Sequence, residues 1–352
     1  MPSITYANLG APALALPVAE MLRGLPGVAF DFADQRRALS TIPGAEYLGP
    51  VSGLPGLTFA RASAAGRWPE AGSYEMLGSN VLRYDHDPVT REPLGVRIEG
   101  AATPLLTNSE TVSTARNVTV TAQAYTLAME GSGSLALSGA YSGALIGGAT
   151  RQTLTFTPSA GTLTITPSGD ALRVQLETGS VASSYIVTGA SIVTRAAERL
   201  YAPMPFDPAA DGITLLWDGV LPASSANFPH ALSLAPPSGT NPRLNFYISG
   251  ATMSVLGFAA PSGFWTVGQG RPFVAGAKRR IVARLTPSAL ALSQNGDAVT
   301  GASLASAIPT GMTRLDLGSV NASNQWNSTI SRVAVWRGAP FSDAQMRELS
   351  AL

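Results

Sequence analysis

From about residue 118 onward, apolar residues alternate with small polar ones, and turn residues break the pattern into short runs. "NVTVTAQAYTLAM", "SLALSG", "TLTFTPSAGTLTIT", "ALRVQLETG" and "SSYIVTG" follow one another between residues 117 and 189. A period of two places alternate side chains on opposite sides of an extended chain, so these runs read as strands. Pro158-Ser159-Ala160-Gly161 divides two such runs and predicts a hairpin between them. A second series follows in residues 201–352: "GITLLWDG", "HALSLA", "RLNFYISG", "TMSVLG", "FWTVGQ", "RRIVARLT", "ALALSQNG", "RLDLGS" and "STISRVAVWRG". Asn295-Gly296 adds a tight turn, because both residues tolerate positive φ. Many short strands at a spacing of about ten residues predict sandwiches or jelly rolls. The period changes only at "FSDAQMRELSAL". There Ser342 and Gln345 form a capping box, and Phe341 and Met346 stand at the staple positions, so one short helix is expected.

Residues 1–110 lack this regularity. "LPVAEMLRGL" reads as a short helix ended by Gly24 and Pro26, and "GVAFDF" and "GLTFARAS" as short strands among Pro- and Gly-punctuated loops. Such a segment is poorly suited to a core of its own and is expected to wrap on a partner or on copies of itself. The expected architecture is mainly β: an irregular attachment and oligomerisation segment (1–110), a β-sandwich (111–200) and a jelly roll (201–352) closed by a short helix.

Composition narrows the function. Charged residues make up 13% of the 352-residue chain and the formal net charge is +1, which gives no electrostatic footprint for nucleic acid or an anionic membrane. Lys278-Arg279-Arg280 is the one basic cluster, read as the solvated start of a strand. The chain has no cysteine, so disulfides and thiolate metal sites are excluded. The N-terminus has no basic n-region, Pro17 interrupts its apolar run, and no run of 18 apolar residues occurs, so neither a signal peptide nor a membrane span is expected.

"RYDHDPVTREP" (83–93) sets His86 between Asp85 and Asp87, and the chain has two histidines in all. A metal site needs three or more converging ligands, whereas Asp85 and Asp87 would point to opposite sides of an extended chain. Asp-Pro-x-Thr suits a turn in which Asp87 caps local amides and Pro88 presets φ. A turn is therefore expected, with calcium as the alternative and no other cofactor.

The same stretch lies within "FARASAAGRW…NVLRYDHDPVTREPLGVRIEGAATPLLTNSE", which resembles a recurrent segment of tailed-bacteriophage fibres. Phe59, Arg61, Ala62, Asn80, Arg83, Tyr84, Asp85, Asp87, Pro88, Thr90, Gly95, Ile98 and Glu99 match its pattern. Pro104-Leu105-Leu106 departs from the usual Asn-Leu-Leu. "QLETGSVASSYIVTGASIVTRAAE" resembles the end of the carbohydrate-binding-like sandwich that often follows, with Val187 where proline is usual. "RLDLGSVNASNQWNSTISRVAVWRGAPFSDAQMRELSAL" looks like the closing strand and helix of concanavalin-A-like lectin jelly rolls. The resemblance spans roughly residues 57–352. It implies a host-attachment fibre or head-spike subunit of a phage or gene transfer agent, on the particle surface, homotrimeric, joined to other fibre or capsid proteins through the N-terminal segment, and binding host capsular or surface polysaccharide. An arginine-rich chain with Lys278 as its only lysine suits an alphaproteobacterial gene-transfer-agent head spike.

Residues then weigh binder against enzyme. Retaining glycoside hydrolysis needs two carboxyl groups about 5 Å apart, yet Glu348, on the closing helix, is the only glutamate in 201–352. No Glu-x-Asp-x-x-Glu run, nucleophile elbow or phosphate-cradling glycine loop occurs, and His230 reads as structural. A non-catalytic adhesin is the expected function, with a polysaccharide depolymerase and a purely structural fibre or capsid decoration protein as alternatives. Sugar binding needs an exposed aromatic face beside amides or hydroxyls. Trp326, with Asn324, Gln325 and Asn327 around it, and Trp265 in "PSGFWTVGQG" are the candidate carbohydrate-binding residues. Trp217 and Trp336 read as core, and Trp68, in a Pro/Gly loop, as an interface residue.

Overall fold

The computed structural model describes residues 22, 25–33, 37–41, 47–204, 206–250, 252–259, 263–269, 271–304, 307–321 and 323–352, with the backbone alone for most of 252–269. The expected helix in 16–25 lies largely outside them. The fold is mainly β, with a short helix at Pro208–Asp211 and another at Asp343–Ser350.

The chain forms two compact units, and their borders differ from those expected. One comprises the described residues of Met1–Phe59 with Pro93–Ile98 and Glu198–Leu352; the other comprises Ala60–Glu92 and Glu99–Ala197. The described part of residues 1–110 is therefore shared between the two units. Gly27–Asp31 pairs antiparallel with Ser328–Arg337 on one side and Arg37–Ser40 on the other, and Pro93–Ile98 adds to the same long strand through Ser328↔Ile98. The short apolar runs of the N-terminal third find their edge on the chain's own last strand.

In the larger unit one sheet runs in the order Thr300–Ser303, Ala289–Gln294, Lys278–Leu285, Ile213–Val220, Ser328–Arg337, Gly27–Asp31, Arg37–Ser40 and Tyr47–Pro50. A second contains Gly263–Gln269, Thr252–Ala259, Arg243–Ser249, His230–Ala235, Arg314–Leu317 and Arg199–Pro203. Every strand read from the 201–352 series is present. The central Ile213–Val220 strand is buried on both faces, and alternation sorts its side chains. Leu216 lies opposite Val282 and Ala334 and shares a core with Trp336, Phe341, Met346 and Leu22. Trp217 faces the other way, edge-on to Trp326 with ring centroids 4.8 Å apart. Trp217 and Trp336 are thus both core, on opposite faces of one sheet.

The C-terminal helix forms as its capping signature requires. The Gln345 amide donates to Ser342 Oγ at 3.4 Å and the Ser342 amide to Gln345 Oε1 at 2.9 Å, and Phe341 and Met346 are buried against Trp336. Arg280 corrects the reading of the basic cluster. It is buried, donates to Asp218 Oδ2 at 2.8 Å and to the carbonyl of Ala351, and so pins the end of the helix to the sheet. Arg279 is also buried, on Gln294 Oε1 at 2.8 Å. Only Lys278 is exposed.

The smaller unit holds a five-stranded sheet in the order Gly143–Phe156, Tyr125–Gly139, Gly161–Ser168, Arg116–Val120, with Leu172–Thr178 also on Tyr125–Gly139. The expected hairpin around residues 158–161 does not form, because the 15-residue strand Tyr125–Gly139 takes one run on each of its edges. Residues 183–189 carry no strand. Their polar groups are claimed instead by buried carboxylates and hydroxyls: Ser183 by Glu177, Ser184 by Glu99, Thr188 by Ser109.

The residues of the fibre resemblance turn out to be wiring. Arg61 is fully buried and donates to the carbonyls of Ser63, Gly78 and Val81. Arg83 and Arg195, also buried, both hold Glu99, at 2.8 and 2.9 Å. Asp87 Oδ1 accepts the amides of Val89 and Thr90, each at 2.8 Å, which is the expected turn. Those amides hold its carboxyl below the usual carboxylate range. Asp85 Oδ1 accepts the Trp68 amide at 2.8 Å, and the His86 ring lies 3.3 Å from the Trp68 carbonyl.

Candidate functional site: an aromatic loop at one end of the jelly roll

Two loops of the larger unit meet where the strands end. The first, 221–229, joins Ile213–Val220 to His230–Ala235. The second, 318–327, precedes Ser328–Arg337 and contains the residues singled out in the sequence. The structure separates those residues. Trp326 is fully buried, and its indole Nε1 donates to the Val220 carbonyl at 2.8 Å. Its amide donates to the Gly318 carbonyl at 2.8 Å. A ring enclosed against Trp217 offers no face to a sugar, so Trp326 is not the stacking platform; it is the footing of the loop. Gln325 is likewise buried. Asn324 and Asn327 are exposed. Trp265 stands on Gly263–Gln269 opposite Gly257; its side chain lies outside the described residues.

Asparagine has a local function here. Asn321, Asn324 and Asn327 have φ of 46°, 52° and 56°, the left-handed region that asparagine tolerates best after glycine. These turns fold the loop back on itself and bring Asn324 to the first loop. Asn324 Nδ2 donates to the Asn227 carbonyl at 2.7 Å, and the Asn324 carbonyl accepts the His230 amide at 3.0 Å.

Among the described residues, the exposed aromatic of this end is Phe228, which the sequence reading passed over. It is 54% exposed, with φ of 49°, next to Asn227 at 63°. A left-handed backbone is costly for a bulky side chain, about 1–2 kcal/mol, and such outliers gather at ligand sites. Behind Phe228 stands Tyr247, ring centroids 6.1 Å apart, and Tyr247 stacks on His230 at 5.4 Å. The three rings pass from open surface to core. Burial pushes the His230 imidazole down to about 4, so it is neutral at neutral pH. The Ile248 amide donates to the Pro229 carbonyl at 3.0 Å, tying the loop to the strand that carries Tyr247. The sequence signal for the site was "SSANFPH": a lone aromatic between polar residues and a proline.

This end carries an open ring among exposed amides. The aspartates of 201–352 are committed elsewhere, and Glu348 is exposed on the C-terminal helix. Asp218 holds Arg280, Asp316 holds Arg314, Asp211 holds Arg337, Asp297 holds Arg271, Asp343 holds Arg284, and Asp207 caps Ala209.

No family model matches the chain, and no curated protein matches it by sequence. Among solved structures, it is similar to the CBM40 carbohydrate-binding module of the Ruminococcus gnavus IT-sialidase bound to α2,3-sialyllactose, with 13% identity and a TM-score of 0.36 over 40% of this chain and 83% of that one. It is also similar to domain 4 of an extracellular arabinanase from Geobacillus stearothermophilus in complex with arabinotriose (13% identity, TM-score 0.34, 48% and 82% of the chains). A third is the binding domain of botulinum neurotoxin serotype G (9% identity, TM-score 0.33, 43% and 40%). These neighbours are β-sandwich binding modules at low identity.

Proposed function

We propose that the chain is a non-catalytic, glycan-binding subunit of a phage-type or gene-transfer-agent fibre or spike, and that it contacts host surface polysaccharide through the Phe228 end of its jelly roll. The observation that carries this reading is the half-exposed Phe228 ring, held on a left-handed backbone between Asn227 and Asn324. The C–H face of a pyranose packs on such a ring while neighbouring amides orient its hydroxyls. The particle, the homotrimer and attachment to other fibre or capsid proteins rest on the sequence resemblance alone. In that setting, one weak site repeated along a fibre gains avidity of roughly 10²–10⁴ without new contacts.

The test is a glycan array probed with the full chain, followed by titration of the best ligand. Phe228→Ala is expected to weaken binding by about 0.5–1.5 kcal/mol, the worth of one aromatic contact, without changing the fold. Parent-like binding by that variant would remove Phe228 from the site. A parent chain that binds no bacterial surface glycan would end the adhesin reading, and release of new reducing ends from capsule would replace it with a depolymerase.

A further inference from the structure

The smaller unit gathers three arginines and three aromatic rings at a half-buried surface. Trp68 and Tyr74 meet edge-on at 5.5 Å, and Tyr74 leans on Tyr185 at 5.7 Å, its hydroxyl donating to the Tyr185 carbonyl at 2.7 Å. The Arg91 and Arg173 guanidiniums stand over the Trp68 ring, 4.9 and 5.1 Å from its centroid. Arg151 stands over Tyr185 at 5.8 Å. These side chains come from distant segments: the stretch after Ala65–Arg67, the Asp87–Glu92 turn, the Gly143–Phe156 strand and the start of Leu172–Thr178. Aromatic faces hold guanidiniums in fixed planes at little entropic cost.

Part of the cluster's donor capacity is unmet, although Arg151 Nη1 donates to the Arg173 carbonyl at 3.2 Å. Glu130 meets Arg173 Nη2 at 2.7 Å and Arg151 Nη1 at 3.6 Å. Arg91 has no ion-pair partner among the described residues. Glu177 is nearby and is taken up by Gln175 and by the amide and hydroxyl of Ser183. Arg151 Nε and Nη2 and Arg91 Nη1 are shielded from water and have no hydrogen-bond partner among the described residues. An unmet charged donor of this kind is costly in a folded protein. Two of the three arginines also sit on a left-handed backbone, Arg91 at φ 64° and Arg173 at 44°. Shielded N–H groups and local strain coincide at one place, as expected of a site that a ligand completes.

We propose that the Arg91–Arg151–Arg173 cluster is a binding site for the carboxylate of an acidic sugar. A guanidinium offers parallel N–H groups that match a planar carboxylate two at a time. The shielded donors are reached by a swing of Arg91, which stands on a short turn and makes no ion pair within 4 Å among the described residues. Trp68 and Tyr74 then border the sugar ring. This site is independent of Phe228 and adds selection for acidic glycans.

The experiment is an NMR titration of the full chain with glucuronate, galacturonate and N-acetylneuraminate, each beside its methyl ester, and with inorganic sulfate. At least one free acid is expected to bind, its ester about tenfold more weakly or not at all, reflecting loss of a charge-assisted bond. Arg91→Gln is expected to weaken the acid about tenfold with an unchanged melting temperature, whereas Arg347→Gln, on the C-terminal helix, leaves binding unchanged. Arg151→Gln is the second variant, read against its own melting temperature. Failure of all three acids to bind overturns the proposal. So does equal binding of acid and ester, sulfate binding as tight as the acid, or undiminished binding by both arginine variants.

Discussion

His230 is the residue through which the Phe228 end feels pH. Its ring is buried against Tyr247, and burial, with a smaller contribution from Arg243, disfavours the imidazolium more than the Phe228 backbone favours it. Its value in the fold, about 4, lies below the ordinary 6.5, so below pH 6.5 the unfolded chain binds a proton the folded chain refuses. The stability from a neutral His230 is complete above that pH and drains away as pH falls toward 4, by about 2 kcal/mol at pH 5. Thermal melts between pH 7 and 5 are expected to show this slope in the parent and not in His230→Phe; equal slopes would refute it. The carboxyls held low, Asp87 and Asp297, titrate below this window. Residue by residue, the sequence was readable where a side chain acts on its own neighbours. Asp87 capping Thr90 and Ser342 capping Gln345 are local, and the spacing shows them. Trp326 is not local: whether an indole faces water or Trp217 depends on a backbone that doubles back to Gly318. Phe228 was missed for the converse reason, since one aromatic in a polar loop has no periodicity.

Strands were legible as strands, and their partners were not. The runs at 153–156 and 161–166 look like a hairpin, yet both attach to Tyr125–Gly139, because a strand of 15 residues has ladder to spare for each. Pairing is decided by which edges remain open, and alternation carries no record of that. The crossing of Pro93–Ile98 with the final strand shows how tight such a choice can be. Gly95 has φ of 96°, and a Cβ there would stand 2.1 Å from the Ile330 carbonyl oxygen. Gly95→Ala is therefore expected to cost at least about 2–3 kcal/mol, from the unfavourable backbone and the clash with main chain that has little room to yield. Chemical denaturation measures it; a loss under 1 kcal/mol, about the ordinary difference between glycine and alanine, would show that the strands part without penalty.

For the whole molecule, modular folding at residue 201 gives way to a unit assembled from three stretches. A fragment of residues 201–352 lacks Gly27–Asp31 and Pro93–Ile98, both of which bond to Ser328–Arg337, and leaves Asp31 absent from Arg332, where it sits at 3.2 Å. It is expected to aggregate or melt without cooperativity, while the full chain melts cooperatively; a monomeric fragment with a sharp transition would restore the simpler modular picture. The same topology sets a timetable for biosynthesis. Asp31 and Arg332 are 301 residues apart, so at roughly 5–20 residues per second the first strand emerges from the ribosome some 15–60 s before its neighbour exists. During that wait the smaller unit has its whole sequence available, and the strand Gly27–Asp31 stands with an open edge. A slow codon late in the message is expected to prolong that exposure, and a slow codon early in it is not.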